Sequence, residues 1–83
     1  MNQKEDLLKQ AGYRYNFDRM VYINRTAKKV FSVDAIEDHS AEWLSDRLAE
    51  VNNGEWRFYF NEAPSAAVVR EFLVELGEQR AAS

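Results

Sequence analysis

Eighty-three residues make one domain, with a possible second excluded by length, and only about a dozen large apolar side chains are available for its core. Three glycines and one proline argue against disorder and against a loop-rich all-β fold, and the absence of cysteine removes disulfides, zinc–thiolate sites and thiol chemistry. A net charge of −3 disfavours nucleic acid as a partner until its distribution is considered.

The opening MNQKEDLLKQAG mixes acids with bases and has no apolar core, so it does not read as a signal peptide. No apolar run approaches the roughly 20 residues that span a bilayer. These features point to a cytoplasmic protein. Residues 2–11 read as a short helix, with Asn2 and Glu5 spaced as a capping box and Gly12 at its C-terminal end.

Residues 13–17 alternate Tyr, Arg, Tyr, Asn, Phe, a period of two that predicts a strand. Tyr13, Tyr15 and Phe17 share one face, Arg14 and Asn16 the other. A turn at Asp18-Arg19 leads to a second strand over residues 20–24. Asn24 to Ala27 form a second turn, with Asn or Thr bonding to local backbone. A third strand over 28–32 follows; with Val30 toward the core, Lys29 and Phe31 face away. This region, 13–33, carries five basic residues against one acid.

Residues 34–55 reverse that balance, with seven acids against Arg47. A short helix over 33–38 and a longer one over 41–51 are expected, with Asp34 or Ser40 as caps. Ala41, Leu44, Leu48 and Val51 form a buried stripe, and Trp43 beside it reads as a lid over the sheet edge. Asn52-Asn53-Gly54 stops the helix. Residues 55–60, EWRFYF, are a fourth strand, with Trp56, Phe58 and Phe60 on one face and Arg57 and Tyr59 on the other. Pro64 and Ser65 open a last helix carrying Val69, Phe72, Leu73 and Leu76, and the tail from about 77 to 83 frays.

The order α-β-β-β-α-β-α predicts an α+β two-layer sandwich over residues 1–83, with a mainly antiparallel sheet and helices on one face. The helix between the third and fourth strands allows those two to run parallel. The aromatic sides, Tyr13, Tyr15, Phe17, Trp56, Phe58 and Phe60, are expected in the core. The other side of the sheet then presents Arg14, Asn16, Tyr22, Asn24, Lys29, Phe31, Arg57 and Tyr59.

Tyr and Arg are enriched at protein interface hot spots, so this face is the candidate binding surface. The leading expectation is a non-enzymatic protein-interaction or regulatory module whose partner is another protein or a second copy. The basic and acidic halves favour such steering. The runner-up is a single-stranded RNA or DNA binder, whose bases would stack on the rings while Arg and Lys meet phosphates.

Catalytic and metal motifs are weak. Asp38-His39-Ser40 resembles a triad written in a row, but neighbouring residues point apart and cannot converge on one substrate. His39 is the only histidine, which removes a multi-histidine metal site. Asp34, Glu37, Asp38 and Glu42 have helical spacings that suit a cation or, better, a solvated face complementing the helix dipole. No cofactor is expected. The αβββα opening is shared with double-stranded-RNA-binding domains, but acids stand where that architecture grips phosphate with lysines, so no family is assigned.

Overall fold

The computed structural model describes residues 3–77. Its elements are α1 (Gln3–Gln10), β1 (Arg14–Asn16), β2 (Val21–Asn24), β3 (Lys29–Ser32), α2 (Val33–Asp38), α3 (Ala41–Ala49), β4 (Arg57–Tyr59) and α4 (Ala66–Glu75). The expected α+β class and element order are observed, with the acidic region split into two helices as read. Asn2 and the tail beyond Gly77 lie outside the described residues.

Local chemistry accounts for the element ends. Gly12 adopts φ 91°, and the amides of Gly12 and Tyr13 donate to Lys9 O and Leu8 O at 3.1 and 2.9 Å. That is a Schellman end, and Tyr13 and Leu8 pack together in the core as such ends favour. Three serines cap the other helices. Ser32, Ser40 and Ser65 accept from the amides of Ala35, Trp43 and Val68 at 3.1, 3.0 and 3.2 Å. Ser32, not Asp34, is therefore the cap of α2.

Both hairpin turns are built alike. Asn16 Oδ1 accepts from Arg19 N at 3.0 Å, and Asn24 Oδ1 accepts from Ala27 N at 2.9 Å. The residue four places after each asparagine, Met20 or Lys28, takes a positive φ of 55° or 57°. Such turns connect four-residue loops in which one residue must enter the left-handed region.

The sheet order is β1-β2-β3-β4. β1–β2 and β2–β3 are antiparallel, while β4 joins β3 in parallel after the α2–α3 crossover. The register aligns Tyr15, Tyr22, Phe31 and Tyr59 across all four strands. The row beside it aligns Arg14, Ile23, Val30 and Phe58, and alternation sends it to the opposite face.

Both faces are covered, which corrects the expectation of helices on one side. Phe31 packs with Leu8, Tyr13, Ile36 and Leu44, which brings α1, α2 and α3 over the aromatic row. Val21 and Val30 pack with Phe72 and Leu76 of α4 on the other face. Val30 and Phe31 are adjacent and both fully buried, so β3 is a central strand with no solvated side. Phe58, Phe60 and Phe72 form an aromatic trio, with centroids 5.7 to 6.0 Å apart, that holds α4 to β4. Arg19 lies 5.2 Å from the Phe72 ring centroid and pairs with Glu71 and Glu75, tying the first turn to the same helix.

Two expected core residues are elsewhere. Phe17 is 83% exposed, because Asn16 ends β1 and starts the turn. Val51 is 89% exposed, because α3 ends at Ala49 before the stripe reaches it.

Candidate functional site

The eight residues expected on one open face do not share a face. Tyr22, Asn24, Lys29, Phe31, Arg57 and Tyr59 are on the α1–α3 side of the sheet, whereas Arg14 and Asn16 pair opposite Ile23 and Val21 and are on the α4 side. Each strand's alternation was read correctly, but β1 is turned over relative to the grouping expected.

Lys29 is a structural residue. It is 1% exposed, and its Nζ donates to Arg47 O at 2.7 Å, to Leu48 O at 3.1 Å and to Glu50 O. Those are the carbonyls that the end of α3 leaves without helical partners, at the negative end of the helix dipole. Burial pushes the Lys29 ammonium below its usual range, and Glu50 opposes that shift. Lysine or arginine meets two other helix ends. Lys4 Nζ donates to Ile36 O at 2.8 Å beneath α2, and Arg25 donates to Leu76 O at 2.6 Å after α4.

Phe31 is fully buried and stacks on Tyr59 with centroids 4.4 Å apart at 9°. Trp43 is half-buried and meets both rings edge-on at 6.2 and 6.3 Å, the lid that its position beside the stripe implied. The Tyr59 hydroxyl donates to Glu50 Oε1 at 3.2 Å; burial, then the Glu50 contact, pushes it up. Tyr22 is half-buried against Tyr15 at 5.0 Å and is likewise pushed up, mainly by burial. Asn24 Nδ2 donates to Ala11 O at 2.9 Å, locking α1 to the second turn. Lys29 and Phe31 are thus removed from any solvent surface, Asn16 and Asn24 serve turns, and Arg14 and Arg57 remain exposed.

The acidic and histidine residues build no centre. Asp34, Glu37, Asp38 and Glu42 are all exposed, and among the described residues no group of three or more acids and histidines is placed to hold a metal ion. His39 stacks on Trp43 at 3.9 Å with Nδ1 2.8 Å from Ala35 O, and Ser40 is occupied as a cap.

The sheet has two edge strands, β1 and β4, each with a strand neighbour on one side only, and the rim at β1 is the one beside exposed large apolar side chains. Phe17 stands at its end, edge-on to Tyr15 at 4.8 Å, and Met20 beside it in the turn is 57% exposed. Two grooves flank the rim. One, about 440 Å3, is lined by Tyr13, Tyr15, Phe17 and Tyr22 with Glu5 and Lys9. The other, about 410 Å3, lies on the opposite side and includes Arg14, Asn16, Ile23, Arg25 and Leu76. Sequence reading missed this rim because Phe17 looked like core; the signal available was Asn16, a turn-starting residue directly before it.

No helix among the described residues is long and apolar enough to cross a membrane. Comparison with family models, with curated proteins and with solved structures finds no match to this chain.

Proposed function

We propose that this chain is a small cytoplasmic protein-interaction module that works by binding rather than by chemistry. In this reading, a partner protein lays an extended segment along the free edge of β1. The observation that carries it is an edge strand followed directly by an aromatic ring 83% exposed, with an exposed methionine in the same turn. Edge strands are templates for strand addition, in which main-chain hydrogen bonds give affinity and flanking pockets give specificity. Exposed aromatic and methionine side chains are what protein contact sites favour.

Selection of peptides from a random displayed library against the immobilised chain tests this reading. Selected peptides are expected to shift the amide resonances of residues 13–17 and to lose binding to Phe17→Ser. Peptides that instead shift α3 or α4 and bind Phe17→Ser unchanged would overturn it. Single-stranded nucleic acid is the second reading. Exposed Phe17 and Arg14 still favour it, while Phe31 has no open face for a base. It requires affinity that falls steeply with salt.

A further inference from the structure

The two grooves beside β1 differ in chemistry, and an added strand would feel both. Successive side chains of a strand point to opposite faces of its sheet. Every second residue of a segment paired to β1 therefore enters the groove of Tyr13, Tyr15, Phe17 and Tyr22, and the residues between enter the groove of Arg14 and Arg25. The first groove offers aromatic walls. The second offers two guanidinium groups, and no acid lines it.

Arg14 is exposed and pairs with no acid among the described residues. Arg25, also exposed, spends one of its five N–H donors on Leu76 O. Ile23 and Leu76 give this groove an apolar floor against which a carboxylate–guanidinium pair is less hydrated than on open surface.

We infer that the partner segment alternates apolar with acidic residues, its apolar side chains toward Tyr15 and Phe17 and its carboxylates toward Arg14 and Arg25. This rests on the strand-addition reading and names the partner's chemistry. A second copy of the chain does not fit the description. Its own β1 carries Arg14 and Asn16 on one side, so edge-to-edge pairing of two copies would bring arginine grooves together.

The test uses the full chain and three capped, dye-labelled hexapeptides, read by fluorescence anisotropy. One alternates leucine with glutamate, one alternates leucine with lysine, and one carries three leucines followed by three glutamates. The inference expects the alternating glutamate peptide to bind at least about tenfold more tightly than either control. Arg14→Glu should reverse the preference between the glutamate and lysine peptides, with an unchanged amide spectrum elsewhere confirming the fold. Equal binding of all three peptides, with shifts at residues 13–17, would overturn the acidic pattern and leave strand addition standing. Binding by none of them at millimolar concentration would overturn both.

Discussion

Replacing Lys29 with methionine isolates the most consequential buried charge. Methionine keeps most of the aliphatic stem, so the packing between α3 and the sheet is retained. What is lost is an ammonium group donating to Arg47 O, Leu48 O and Glu50 O. Hydrogen bonds from a charged donor contribute roughly 1.5 to 3 kcal/mol each, and a buried carbonyl left unmet costs about 1 to 3 kcal/mol. Two effects reduce the total. Arg47, Leu48 and Glu50 are half-buried, so water reaches some of the carbonyls, and the variant no longer has a charge to desolvate.

The net loss expected is about 2 to 4 kcal/mol, a large fraction of the roughly 5 to 12 kcal/mol that holds a domain of this size together. Urea unfolding followed by the fluorescence of Trp43 and Trp56 measures it as a lower midpoint at unchanged slope. A pH series adds a sign. The Lys29 ammonium is pushed below 10.5 by burial, so the unfolded chain holds the proton more tightly between the lowered value and 10.5. Stability from this residue therefore rises with pH across that window, and Lys29→Met removes the rise. A midpoint change equivalent to less than about 0.5 kcal/mol would refute the capping role, since that is the scale of an indifferent surface substitution.

Tyr13→Phe should be neutral or stabilising by up to about 2 kcal/mol, because the Tyr13 hydroxyl is buried without a hydrogen-bond partner among the described residues. Burial holds the Tyr13 hydroxyl well above its ordinary 10.0, so its contribution is complete below pH 10 and is lost as pH rises beyond that. The phenylalanine variant should show a shallower alkaline loss in urea midpoints measured from pH 8 to 11. Met20→Gly should raise the thermal midpoint, gaining about 1 kcal/mol by relieving a left-handed residue; a fall would mean that the Met20 side chain holds the turn. Ser40→Ala should cost about 1 kcal/mol of stability through loss of the α3 cap, and an unchanged melting curve would count against that cap.

Elements whose ends are chosen by local chemistry were legible in the sequence. Gly12, Ser40 and the Pro64-Ser65 pair mark helix ends because each conformation needs that residue type. Alternation exposed all four strands, and the stripe of Leu44 and Leu48 located the packed side of α3. Alternation cannot say how one strand is turned against the next, and that is where the expected face failed. Arg14 lies opposite Ile23 and not beside Tyr22, so the basic and aromatic residues of β1 and β2 separate onto two faces.

Lys29 misled for a different reason. A lysine in a strand normally marks solvent, and only the arrival of the α3 carbonyls, 18 to 21 residues later in the chain, gives it a buried partner. Phe17 misled in the opposite sense, since a large aromatic in an alternating run suggests core. The rim of β1 thus went unread: Phe17 and Met20, expected in the first and second strands, both lie in the turn that joins them.

Backbone hydrogen exchange of the labelled chain, with and without the alternating leucine–glutamate peptide, tests strand addition most directly. A segment paired to β1 satisfies main-chain groups on its free edge, so slowed exchange is predicted among the amides of residues 14–17, with β4 unchanged. Peptide binding that leaves those amides exchanging at their original rate, or that protects β4 instead, would contradict the account.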